Sequence, residues 1–279
     1  MSIRDQMNPK REIFLNKYTN IADAFNRLRV SSPTILFDSQ LQYNKRPEHW
    51  LDNESTSRTV THLSSEASVQ LGVNTAGLTT IRQTREYFRY QPGTSQLILL
   101  TFGGMNGQSG ADKYVGYGDN LNGIFFKSDA DGYYFVRRTN TSGSVIDTEV
   151  EQASWSFDKM NGNGPSRYNL DFSKVQILVV DMEWLGVGRV RCGFVVDGQI
   201  VYAHEFLQAN VGTEVYMQSP NLPVRYAVAG TTGLSSTVTL KQICASVMSE
   251  GGREVPSGQL RTIGTESSLQ SVTSATGAH

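Results

Sequence analysis

The sequence predicts an all-β chain, an antiparallel β-sandwich or jelly roll, and three observations carry that prediction. Strand-length runs that alternate apolar and polar residues recur at short spacing through most of the 279 residues. The breaks between them are rich in Gly, Asn and Asp, the residues that tight turns require. No strand–helix–strand alternation interrupts the series, so a parallel sheet has no support.

Residues 1–32 read as an N-terminal arm. Ile21, Ala24, Phe25 and Leu28 stand at i, i+3, i+4 and i+7, one face of a short helix that must end before Pro33. The same residues suit an extended segment whose Phe25, Leu28 and Val30 dock on the body or on a neighbouring subunit. The β signal begins at 34–37. A polar stretch, 40–57, contains Trp50 and reads as loop, and strands follow at 59–63, 67–73 and 80–90.

Residues 96–102 place Leu97, Ile98, Leu99 and Leu100 in succession, the pattern of a strand buried on both faces. Residues 103–123 carry seven Gly in 21 positions and read as loop. A hairpin then joins 124–127 to 133–138 across a longer connection, and 145–151 alternates again. After a loop at 161–166, residues 175–184 form the strongest strand pattern of the chain. Strands at 189–196 and 199–206 flank Asp197-Gly198, the strongest short-range hairpin signal. Strands at 224–229 and 237–245 complete a body placed at 33–250. Residues 251–279 are Ser-, Thr- and Gly-rich, too poor in apolar surface to fold alone, and read as a linker or tail.

Composition narrows the function classes. With 25 basic and 26 acidic residues the net charge is −1, and no basic stripe offers a nucleic-acid footprint. No apolar run approaches the roughly 18 residues of a membrane span. The first residues show no apolar signal core, and two Cys make no disulfide framework. The expectation is a protein made in a reducing cytoplasm, without nucleic-acid or membrane partners.

Chemistry-bearing motifs are sparse. Neither Cys192 nor Cys244 has a His nearby in sequence, and both read as small structural hydrophobes. The four His are scattered, so no metal site is predicted, and no phosphate loop or cofactor motif occurs. Asp129, Asp131 and Gly132 resemble part of a calcium loop, but the register fails and a turn accounts for them. Asp181 and Glu183 stand at i, i+2, which puts both on one face of a strand, as a sandwich glycoside hydrolase requires of its acid pair. Asp181 can equally pair with Arg189 or Arg191. Gly186-Val187-Gly188 shapes a turn, since no helix follows it to complete a dinucleotide fingerprint. Tyr114, Tyr117 and Trp155 lie in or beside Gly-rich stretches, where aromatics serve glycan recognition or simple loop packing.

Three blocks carry a family resemblance. They are residues 23–31 with Leu36-Phe37-Asp38-Ser39, residues 181–191 continuing through 197–206, and Asn221-Leu222-Pro223-Val224-Arg225-Tyr226. Together they resemble a family of uncharacterised virion structural proteins of tailed phages and environmental viruses. The resemblance spans roughly residues 20–255. It implies a concanavalin- or laminin-G-like sandwich body and a place in the virion, in the capsid surface, tail, baseplate or fibre. It also implies a non-enzymatic role exercised through contacts with other virion proteins and with further copies of the chain. It brings no catalytic residue with it. The alternative expectation is a lectin-like adhesin that reads a host glycan through Tyr114, Tyr117 and Trp155. In the virion reading, Phe25, Leu28 and Val30 are the assembly contacts, while Trp184 and Arg189 serve the core and the turn.

Overall fold

Alternation becomes architecture as two antiparallel sheets packed face to face, a β-sandwich. The computed structural model describes residues 23–25 and 33–251. Leu28, Val30, the expected short helix and the tail from 252 onward lie outside the described residues. The described residues form fifteen strands divided between the sheets: β1 (Thr34–Ser39), β2 (Trp50–Asp52), β3 (Arg58–Leu63), β4 (Ser68–Val73), β5 (Thr79–Thr84), β6 (Gln96–Gly103), β7 (Ala111–Gly118), β8 (Gly123–Ser128), β9 (Tyr133–Thr139), β10 (Ile146–Glu151), β11 (Gln176–Met182), β12 (Val190–Val196), β13 (Gln199–Phe206), β14 (Val224–Gly230) and β15 (Val238–Ser249).

The larger sheet runs β13-β12-β11-β6-β15-β4-β3, and β1 joins the second half of β15. The smaller runs β10-β9-β8-β7-β14-β5-β2. Between them lie two aromatic groups. Phe126 meets Phe102, Phe172 and Phe194 at centroid distances of 4.9–5.6 Å. Phe37, Trp50, Phe88, Tyr117 and Tyr226 fill another part of the interior. Such interdigitation of two inner faces is what fixes a sandwich core.

Three stretches depart from the sequence expectation. The strand expected over 80–90 ends with β5 at Thr84, and beyond it only Phe88 forms an isolated bridge, to Leu222. Residues 103–123 are not all loop: β7 runs through them at the centre of the smaller sheet. Its alternate residues Ala111, Val115 and Tyr117 face the core, and its glycines are there for packing. A Cβ at Gly116 would stand 2.2 Å from the Ile124 carbonyl oxygen and 2.7 Å from Cδ1 of Phe125. The missing side chain is therefore the space that the Phe125 ring occupies. In the stretch 40–57, β2 adds a short edge strand, and Trp50 is buried with its indole N–H donating to Ser39 Oγ at 3.0 Å.

The hairpin at Asp197-Gly198 forms as its sequence dictates. Both residues take positive φ, 51° and 77°, the backbone of a primed two-residue turn. Cys192 is buried as expected, but Cys244 is exposed, because the register of β15 against β6 slips between Gln242 and Ala245.

Candidate functional site

Strand parity decides which side chains leave the sandwich. On the smaller sheet, Tyr114 of β7, Phe125 and Lys127 of β8, Arg138 of β9 and Arg225 of β14 all point away from the core. All of these except Lys127 line a depression of about 260 Å³, with Ile81 and Asn120 completing its wall.

At its floor the Tyr114 and Phe125 rings meet edge to face at 6.2 Å. The Arg138 guanidinium lies over both, 5.3 Å from the Phe125 centroid and 5.8 Å from that of Tyr114. Arg138 is held there by a two-pronged pair to Asp147, at 2.8 and 2.7 Å. That carboxylate keeps the guanidinium more basic than usual. Across the depression, Arg225 donates to Gln83 Oε1 at 2.8 Å and to Asn120 Oδ1 at 2.5 Å. Beside it, Lys127 bridges Glu149 at 3.0 Å and Asp129 at 3.1 Å. Burial pushes the Tyr114 hydroxyl up to about 12 and raises the Asp112 carboxyl. Phe125 is only 1% exposed beneath Arg138, so the face presents the half-buried Tyr114 and two arginines to a ligand, groups that suit hydroxyls and other acceptors.

Of the three aromatics singled out for glycan contact, only Tyr114 stands here. Tyr117 is fully buried between the sheets, where its single hydroxyl proton is shared between two acceptors, the Phe88 carbonyl and Gln96 Oε1, each at 3.2 Å. Trp155 packs 4.5 Å from Phe135 and donates its indole N–H to the Val150 carbonyl at 3.1 Å. Both rings belong to the core, since odd parity on β7 and closure of the sandwich behind β10 direct them inward. Arg138, Arg225 and Asp147 went unnoticed in the sequence, although the alternation of β9 and β14 encodes their outward direction.

The two acids of the expected pair stand in different surroundings. Asp181 is fully buried on β11, bound to Arg191 Nη2 at 2.5 Å and accepting the Tyr202 hydroxyl at 2.7 Å. The Arg191 guanidinium also lies 4.2 Å from the Tyr202 centroid. Glu183 lies beyond the end of β11, where its backbone N–H donates to the Arg189 carbonyl at 2.9 Å and its own carbonyl accepts the Tyr216 hydroxyl at 2.7 Å. Asp181 cannot touch a substrate without breaking a buried ion pair. Asp129 is a turn former, accepting the N–H groups of Asp131 and Gly132 at 2.9 and 3.0 Å. Among the described residues, no group of three or more His, Cys, Asp or Glu gathers as a metal site. Among them, too, no helix is long and apolar enough to cross a membrane.

Arg189 has an unforeseen role. Its Nη2 donates to the carbonyl of Ala24 at 2.5 Å and reaches that of Asp23 at 3.5 Å, which ties the N-terminal segment to the turn after β11. Asp23 and Ala24 are buried there and Phe25 is half-buried. Trp184, in the same turn, donates to the Met217 carbonyl at 3.1 Å and packs edge-on against Tyr90.

No family model matches the chain, and no curated protein does. Solved structures share the fold. One is from work titled as showing that prominent human gut microbiota express endo-acting O-glycanases to initiate mucin breakdown. It is 11% identical, spans 77% of this chain and 99% of its own, and superposes with a TM-score of 0.53. A Crh5 transglycosylase in complex with NAG is 10% identical over 78% of this chain and 87% of its own, TM-score 0.45. The receptor binding domain of botulinum neurotoxin D is 7% identical over 77% of this chain, TM-score 0.43, and only 49% of its own length is covered. The first superposition establishes the shared β-sandwich; at such identity the likeness is one of fold.

Proposed function

We propose that the chain is a non-enzymatic structural component of a virion, made in the host cytoplasm and acting through contacts with other virion proteins and with further copies of itself. The observation that supports this reading is the Arg189 clamp on Asp23 and Ala24. The 181–191 block, the most specific part of the virion-family resemblance, is used here for scaffolding: one arginine neutralises a buried carboxylate and another anchors the N-terminal segment. In this reading Asp181, held in its buried ion pair, serves the scaffold.

The test is solution mass by light scattering, comparing the full chain with a Leu28→Asp, Val30→Asp variant, which changes two of the expected assembly contacts and keeps Asp23 and Ala24, both part of the body, in place. A defined oligomer that becomes a monomer in the variant, with a cooperative melt retained, is the expected outcome. A monomer in both cases would remove the self-assembly reading.

A second reading, a host-glycan-binding module, draws support from the Tyr114–Phe125–Arg138 face. Saturable binding on a glycan array that is lost in Tyr114→Ala, with Trp155 and Tyr117 left intact, would favour it. The two readings are compatible in one attachment protein.

A further inference from the structure

Three arginines point into the interior of this sandwich or lie fully buried beside it, and two of them are neutralised. Arg82 on β5 pairs with Asp52 at 2.6 Å, and Arg191 on β12 with Asp181 at 2.5 Å. The third is Arg137. It follows Tyr133 and Phe135 along the inward side of β9, at the open margin of the sandwich. Among the described residues, no carboxylate lies within ion-pair distance of it. One Nη donates to Gln208 Oε1 and the other to Thr148 Oγ1 at 3.1 Å, while its buried Nε has no partner. A guanidinium has five N–H donors, so most of its capacity is unused.

Arg137 borders a cavity of about 280 Å³, closed on its far side by the segment that follows β13. Gln208 lines the same cavity. It is only 5% exposed, and its amide nitrogen, a double donor, is buried without any partner. Thr139 and Thr141, whose hydroxyls lie 3.1 Å apart, add donor and acceptor groups to the wall. Tyr216 backs it, with its hydroxyl already committed to the Glu183 carbonyl. Glu214 stands exposed on the rim and makes no ion pair with Arg137.

A guanidinium with no carboxylate beside it at the wall of a cavity is a partner for an anion. We propose that the Arg137 cavity binds the carboxylate of a single acidic sugar, a uronic- or sialic-acid unit. The planar guanidinium matches a carboxylate, Gln208 Oε1 and Thr148 Oγ1 hold it in place, and the threonine hydroxyls suit a hydroxylated ring. The volume lies below the ~300–1,000 Å³ of sites for drug-sized ligands, which favours one ring over an oligosaccharide chain. Glu214 at the mouth disfavours a dianion such as phosphate. Desolvation lowers the Arg137 pKa, with Tyr216 opposing it, but a guanidinium is basic enough to keep its charge at neutral pH. The site is distinct from the Tyr114 face, and its test does not depend on that face.

The experiment is calorimetric titration of the full chain with glucuronate, with glucose and acetate as controls. Saturable glucuronate binding at least tenfold tighter than either control is expected. Arg137→Gln is expected to weaken it tenfold or more, Gln208→Leu severalfold, and Glu214→Gln to tighten it about twofold. Should Arg137→Gln fail to fold, Thr141→Val at the half-buried wall gives the same reading, with a severalfold loss expected. Glucose binding as well as glucuronate would overturn the proposal, as would acetate matching glucuronate or full affinity in folded Arg137→Gln and Thr141→Val. An acidic peptide that displaces glucuronate and binds more tightly would also overturn it, by assigning the cavity to a protein partner.

Discussion

His204 makes the stability of this protein depend on pH in a calculable way. The imidazole is nearly buried at the end of β13, stacked parallel to Phe135 at 6.4 Å and edge-on to Phe206 at 4.7 Å. Its Nδ1 accepts the Ser156 N–H at 3.3 Å, which requires a neutral ring with the proton on Nε2. Burial alone lowers its pKa to about 4 from the usual 6.5. The folded state therefore resists protonation that the unfolded chain accepts, and stability falls as pH drops from 6.5 towards 4. Linkage gives a loss of about 2 kcal/mol between pH 7 and pH 5, and about 3 kcal/mol by pH 4. Urea unfolding of the wild type and of His204→Gln at both pH values isolates this contribution, because carboxylate titrations cancel in the double difference. The glutamine can still accept from Ser156 but cannot gain a proton, so its stability should change less by about 2 kcal/mol. Equal losses in the two proteins would refute the argument.

Other consequences are as direct. Asp181→Asn leaves Arg191 charged in a buried site without its counter-ion, and should lower stability by about 3–5 kcal/mol in denaturant unfolding; an unchanged midpoint would contradict the buried pair. Gly116→Ala drives a methyl into the Ile124 carbonyl and the Phe125 ring, and should cost about 1–3 kcal/mol by thermal melting. Ellman's reagent should detect Cys244 in the native protein and Cys192 only after unfolding, since burial shields Cys192 and raises its pKa. Labelling of both thiols in the native state would mean that β12 opens readily.

Strand periodicity was legible wherever the side chains themselves do the packing. Residues 199–206 alternate plainly, and β13 occupies them end to end. The pattern failed at β7, where the packing element is a neighbour's ring: Gly116 and Gly118 read as loop residues, yet they are the hollow into which Phe125 fits. Tyr117 and Trp155 were misplaced for a related reason, because turn-forming neighbours suggested exposure while parity sent the rings inward. The inward placement of Arg137 was available from its spacing behind Tyr133 and Phe135. Its lack of a carboxylate was not, because that depends on which segment closes the margin. Likewise the Arg189–Ala24 contact joins residues 165 positions apart, and no local pattern encodes it.

The register of β1 against β15 pairs Thr34 with Ser249, so the chain enters and leaves the body at one pole. Antiparallel geometry sends the far end of β15, at Val238, roughly 36 Å away at about 3.3 Å per residue. That opposite pole carries the turns around Gly77 and Gly233. A tether through both flanking segments would thus hold the body by one pole and leave the other projecting. Mechanical load between the tethers would peel β1 from β15 one pair at a time, starting at Thr34. β15 itself, gripped along its length by β6, would yield last.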